Sequence, residues 1–268
     1  MDQKLMSNPS LWIFGDSFSV PGKVEDSDDL IAWQWGLNLA NKLHMVANFI
    51  AEYGVSNEWI ILQLNSYLKE FKPGDKIIVQ TTQANRFPFL DDTPSLSNMQ
   101  GVEQSSIKGL LTKEQYKAIS LYYKHIQTDE KDQLRHEANI SFLNTMKWLL
   151  SQNNIELVII PGFAHPKVVP LPGPQIIGTL QTISKNEFIT NKAGEKWYAR
   201  GYPDTRLNHI CKDNHEILAD RLYEYLKNKR TLDLATGYRS TFLSVDLEDQ
   251  NQLAPNVLAV TMNPIFKE

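Results

Sequence analysis

Four short apolar runs, each about one strand long, alternate along this chain with stretches whose apolar residues recur at helical steps. The runs are Leu11 to Phe14, Val46 to Ile50, Lys76 to Thr81 and Ile155 to Ile160. Continuous apolar runs of this length fit strands buried on both faces, as in parallel sheets, rather than the alternation of a half-solvated antiparallel sheet. Between them, helical spacing is read over Trp33 to Leu43 and at Ile60, Leu64, Leu68 and Phe71. A third helical stretch, broken once, is read from Lys113 to Ser151, with Phe142, Leu143, Met146, Leu149 and Leu150 on one face. The order βαβαβαβ implies a parallel sheet with right-handed crossovers and helices on both faces.

Beyond the fourth run the pattern changes. Pro161, Pro166, Pro170, Pro172 and Pro174 crowd the start of a long segment ending near Pro203, which no regular helix tolerates. A last helix is expected from about Asn214, with Asp213 and Glu216 as a capping box and Leu218, Leu222, Tyr225 and Leu226 on one face. The remainder is read as a C-terminal appendage over residues 230–268, packed on the single domain of residues 1–229, with a strand at Val257 to Thr261.

Composition narrows the function classes. With 27 basic and 31 acidic residues the net charge is −4, which gives no global attraction to nucleic acid or anionic lipid. Cys211 is the sole cysteine, so neither an intrachain disulfide nor a cysteine zinc framework is available. No run reaches the ~18 apolar residues that cross a bilayer, and the first residues lack a signal-peptide core. A cytoplasmic protein with no membrane or nucleic-acid partner is expected, its oligomeric state open.

In an open parallel sheet, ligands bind beyond the carboxyl ends of the strands. The first run ends in Gly15-Asp16-Ser17, where a serine at a tight turn has the exposure a nucleophile needs; equally, Asp16 or Ser17 caps the next helix. The second is followed by Gly54-Val55-Ser56-Asn57, where Gly54 either offers an N–H to an anion or simply makes a turn. The third leads into Thr81-Thr82-Gln83-Ala84-Asn85-Arg86-Phe87; Asn85 suits an oxyanion and Arg86 an anionic substrate group, or both hydrogen-bond within their loop. His209 precedes the last helix and suits a general base, while His215 falls in that helix. Six residues apart, the two histidines do not match the i, i+4 spacing of a helical zinc pair.

Together, Gly15-Asp16-Ser17, Gly54 with Ser56-Asn57, Asn85, and His209 resemble the blocks of the SGNH (GDSL) hydrolase family, in that family's order. The resemblance implies a three-layer α/β/α, flavodoxin-like fold around a central parallel sheet, and hydrolysis of O-acyl esters with no metal or organic cofactor. It implies Ser17 as nucleophile, His209 as base, and an oxyanion hole made by the Ser17 and Gly54 N–H groups and the Asn85 side chain. Asp16 and Arg86 are expected at the substrate. The family's aspartate, three residues before the histidine, is replaced by Arg206; Asp204 is the nearest upstream carboxylate, and a Ser–His pair is the alternative. Phe87, Phe89, Phe163, Phe188, Trp197 and Tyr198 suit either a sugar ring bearing an O-acetyl group or the pinning of long loops to the core. The Asn-Arg-Phe variant is similar to that of bacterial and phage members. The rival reading is a catalytically silent module of the same fold that binds a glycan or a protein. A nucleotide-binding flavodoxin-like domain is disfavoured, because no glycine-rich phosphate loop follows the first run.

Overall fold

A computed structural model describes residues 8–22, 29–86, 112–125, 128–163, 175–184, 188–190, 196–198, 210, 212–238, 243–244 and 260–261. The chain divides into two compact units: Met1–Val20 with Met45–Val168, and Pro21–His44 with Val169–Glu268.

The first unit is built on a parallel sheet of β1 (Ser10–Gly15), β2 (Val46–Ala51), β3 (Lys76–Thr81) and β4 (Glu156–Pro161), in the order β2-β1-β3-β4. Its registers run Ser10↔Val46, Leu11↔Lys76 and Lys76↔Glu156. Strand alternation divides the core. Phe14, Ile77, Val79 and Leu157 join Ile60 and Leu64 of α2 (Asn57–Ser66) and Leu143, Met146 and Leu150 of the long helix Asp129–Ser151 in one cluster. Leu11, Ile13, Ile78, Val158 and Ile160, on the opposite face, are also buried. The chain is thus mixed α/β with a central parallel sheet flanked by helices, as the apolar runs require.

The helical stretch expected from Lys113 resolves into α3 (Lys113–His125) and α4 (Asp129–Ser151). Each has its own start signal. Thr112 Oγ1 accepts the Gln115 N–H while Gln115 Oε1 accepts the Thr112 N–H, and Thr128 Oγ1 accepts the Lys131 N–H. Leu68, expected on the buried face, is exposed because α2 ends at Ser66 and the chain then turns, losing the helical phase. Phe142 and Leu149 are exposed as well: the buried stripe of α4 is narrow, and each lies one residue, about 100°, off it. At the other end of the sheet, Asp75 accepts the Ser10 N–H, the Trp12 indole N–H and the Lys72 N–H, tying the start of β1 to the turn before β3.

In the second unit α1 (Trp35–Leu43) packs on the helix Lys212–Asn228, with a Lys42–Asp220 ion pair of 2.8 Å. The latter, α6 (α5 being Leu180–Ser184), buries Leu218, Leu222, Tyr225 and Leu226 as expected. It begins at Lys212, so Asp213 lies within the first turn, favoured there by the helix dipole, and is not the cap. The stretch after Arg230 contributes strands to small sheets. β8 (Leu232–Asp233) pairs with β5 (Ile176–Ile177), β9 (Leu243–Ser244) with β6 (Phe188–Thr190), and β10 (Val260–Thr261) with β7 (Lys196–Tyr198). No helix among the described residues is long and apolar enough to cross a membrane.

Candidate active site

The strand order places β1 between β2 and β3, and crossovers to the two sides make the β1/β3 boundary the sheet's switch point. Ser17, Gly54 and Asn85 lie in the three segments that leave β1, β2 and β3 at their carboxyl ends. Hydrogen bonds join these segments. The Glu52 N–H reaches Gly15 O at 3.3 Å, Thr82 Oγ1 donates to Asp16 Oδ2 at 2.7 Å, and Arg86 Nη1 donates both to Asp16 Oδ2 at 3.0 Å and to Val55 O at 3.3 Å. The exits of three adjacent strands are therefore one cross-linked structure.

Ser17 occupies a single tight turn. The Ser19 and Val20 N–H groups donate to Asp16 O at 2.8 and 3.2 Å, and the Phe18 N–H donates to Asp16 Oδ1 at 3.1 Å. This is a turn that an aspartate side chain closes on its own backbone. Gln80, on β3, braces it from below. Its Oε1 accepts the Asp16 N–H and the Ser19 hydroxyl, each at 3.0 Å, and its Nε2 donates to Thr81 O at 2.8 Å. The carboxamide is fully buried and lies so close that a Cβ on Gly15 would meet Gln80 Oε1 at 2.6 Å. The glycine before Asp16-Ser17 is thereby explained: no other residue leaves room for the brace.

Asp16 and Arg86, expected at the substrate, are bonded to each other. Asp16 has no exposed surface, and both its carboxylate oxygens receive protein donors. The Arg86 side chain is 14% exposed. Burial pushes its guanidinium below the ordinary arginine value, and the Asp16 charge and hydrogen bond act in the opposite direction. Its carbon Cζ stands 5.6 Å from the centre of the Phe163 ring, which also meets Phe18 edge-on at 5.7 Å. Of the aromatic residues expected near the nucleophile, Phe163 is thus placed beside the Ser17 turn. Phe188, Trp197 and Tyr198 fall in β6 and β7 of the second unit, and Phe87 and Phe89 lie outside the described residues.

Gly54 has φ +70°, the left-handed region that favours glycine, and turns the chain out of β2 into α2. Ser56 caps α2 by accepting the Trp59 N–H at 3.2 Å. Asn57 reaches the neighbouring exit: its Oδ1 accepts the Thr82 N–H at 2.8 Å and its Nδ2 donates to Thr82 O at 3.2 Å. This side-chain amide imitates a strand partner and sets where the loop bearing Asn85 begins. Asn85 itself is partly buried.

His209 and Asp204 lie outside the described residues, as does Cys211. His215 is buried in α6, where its Nδ1 accepts the Trp35 N–H at 3.2 Å and its ring meets Trp33 edge-on. It supplies the acceptor that α1 lacks at its start, since the Gln34 side chain makes no capping bond. Among the described residues no group of three His, Cys, Asp or Glu could hold a metal ion.

Sequence reasoning missed Gln80 and Thr82. Gln80 carries a signal in retrospect, a polar residue ending the apolar run Ile77-Ile78-Val79. Thr82 carries none, because a threonine after a strand is ordinary. No protein-family model matches this chain, and no curated protein matches it.

Proposed function

We propose that this chain is a serine ester hydrolase of the SGNH type, acting on O-acyl esters and specifically on O-acetyl groups of carbohydrates. One observation above all supports the reading: the segments bearing Ser17, Gly54 and Asn85 leave adjacent parallel strands at the switch point and are hydrogen-bonded to one another. Such bracing is what an oxyanion hole needs, because its donors must be aimed before charge develops.

In this reading His209, assigned by the sequence resemblance, takes the Ser17 hydroxyl proton as Oγ attacks the ester carbonyl. The oxyanion is held by the Ser17 and Gly54 N–H groups and the Asn85 amide. The alcohol leaves with the proton from His209, and water then releases the acyl group by the same steps. Asp204 orients the imidazole, or a backbone carbonyl does so in a Ser–His pair. Arg86 and the Phe163 ring it lies over border the substrate, a lining both polar and aromatic that suits a sugar. Asp16 acts one step back, holding Arg86 and the Ser17 turn.

The test is hydrolysis of p-nitrophenyl esters from acetate to octanoate by wild type and Ser17→Ala, with fluorophosphonate labelling followed by intact mass. Serine-dependent turnover with one label on Ser17 is the expected result. Equal activity in both proteins, once contamination is excluded, refutes the mechanism. The rival, a silent glycan- or protein-binding module, draws on Arg206 standing where the family has its aspartate. It predicts neither turnover nor label in a folded sample.

A further inference from the structure

Arg135, on α4, has no part in the proposed acyl-transfer steps. Its Nη2 donates to Ala84 O at 2.6 Å and to Arg86 O at 3.0 Å, the carbonyls on either side of Asn85. Its Nε pairs with Glu58 Oε1 at 3.0 Å, and Nη2 lies 3.3 Å from Asp132 Oδ1. Glu58 stands in the first turn of α2, four residues after Gly54, and the same oxygen accepts Asn139 Nδ2 at 3.0 Å. One guanidinium thus spans the helix entered from Gly54 and the loop that carries Asn85.

Resting on the ester-hydrolase reading, we infer that Arg135, held by Glu58 and Asp132, is a positioning residue that fixes the Asn85 amide relative to the Gly54 N–H in the oxyanion hole. The chemistry favours arginine here. A planar fork donates along several fixed directions at once, whereas a lysine ammonium is a single point that reaches one partner well. The loop's own backbone contributes a long bond there, the Arg86 N–H to Gln83 O at 3.3 Å. The Ala84 carbonyl lies in the peptide plane that enters Asn85 and the Arg86 carbonyl in the plane that leaves the following residue, so one nitrogen bound to both pins the chain before and after Asn85 and with it the direction of the side chain. Among the described residues Glu58 Oε2 is buried and meets no hydrogen-bond partner, so the carboxylate's bonds are concentrated on the oxygen that faces Arg135 and Asn139. A misplacement of about 1 Å in such a group costs roughly 10²-fold in rate.

The experiment compares wild type, Arg135→Lys, Glu58→Gln, Asn85→Ala and Asn85→Ala/Arg135→Lys. It reads kcat, KM, the rate of fluorophosphonate labelling, Tm, and amide hydrogen exchange over residues 82–87. Arg135→Lys is expected to lower kcat by roughly 10- to 100-fold with KM within about threefold, to slow labelling, and to speed exchange at the Arg86 amide. Glu58→Gln moves each quantity the same way and by less, which keeps the test decisive if the first variant fails to fold. In the Asn85→Ala background the lysine substitution adds less than about threefold, because the donor it positions is gone. Unchanged exchange in the loop overturns the clamp. Loosened exchange with unchanged kcat, or a fully additive double variant, overturns the positioning role. If wild type shows neither Ser17-dependent turnover nor label, the hydrolase reading fails and takes the catalytic role of Arg135 with it, while exchange still decides whether Arg135 holds the loop.

Discussion

Gly15→Ala adds one methyl group at the point where the Ser17 turn meets its brace. The new Cβ would lie 2.6 Å from Gln80 Oε1, 2.6 Å from Ser19 Oγ and 2.9 Å from Ser19 Cβ. Comfortable contact needs about 3.5 Å, so the neighbours must retreat by roughly 1 Å. Two bonds of 3.0 Å end on that Gln80 oxygen, from the Asp16 N–H and the Ser19 hydroxyl, and a retreat of this size breaks both. Leaving the buried Asp16 N–H unmet costs about 1–3 kcal/mol. Overpacking adds about 1–3 kcal/mol. A total of roughly 4 kcal/mol corresponds to a fall in Tm of about 8–16 °C for a unit of this size. Because Ser17 follows two residues on, turnover per folded molecule is expected to fall roughly 100-fold. Circular-dichroism melting gives the first quantity, and ester hydrolysis at a temperature where both proteins are folded gives the second. The clash is shared with Gln80, so Gly15→Ala should cost less in a Gln80→Ala background, by about 1 kcal/mol or more. A variant melting within 2 °C of wild type, with undiminished turnover, would refute the reasoning.

Asn85→Ala should lower kcat by about 10²–10³-fold as one oxyanion donor is lost, seen as a parallel fall in kcat and kcat/KM. Asp204→Ala separates triad from pair: a loss near 10⁴-fold in kcat means the carboxylate orients the base, and a loss under about tenfold means it does not. Asp75→Ala strands the Ser10, Trp12 and Lys72 donors and is expected to destabilise by about 3 kcal/mol, measured by urea unfolding, with little effect on KM. The Asp233 carboxyl is held below its ordinary value, first by its bond from the Thr236 hydroxyl and then by the Ala235 N–H. A depressed folded value means the stabilisation is complete above the unfolded carboxylate value near 3.9 and is lost as pH falls through the lower folded value. Melting curves of wild type and Asp233→Asn should therefore differ most at pH 6 and draw together as pH falls below about 3.9; a difference that does not shrink on acidification contradicts this.

The elements themselves were legible because each is a local event. Apolar runs of strand length and helical spacing act within a few residues of chain, and the four strands of the parallel sheet and the helices between them fall where those signals put them. Local signals failed where the chain turned out of phase, as at Leu68, or where a helix began earlier than its best cap, as at Asp213. The positions of Ser17, Gly54 and Asn85 beyond successive strands could likewise be read in one dimension, since parallel topology sends every strand exit to the same edge.

What each side chain does at that edge was decided only by folding. Asp16 and Arg86 are expected at the substrate when read along the chain; that these residues, 70 apart, are also bonded to each other is decided only once β1 and β3 lie side by side. Gln80 and Gly15 make sense only together, one as a brace and the other as the space it fills, and nothing local links them. His215 becomes the cap of a helix 180 residues earlier in the chain. Hydrophobic period and capping depend on neighbours in sequence and so are written there. Hydrogen bonds between strand exits depend on which strands are adjacent and in what register, and burial then decides which polar groups must satisfy one another and which are left for chemistry.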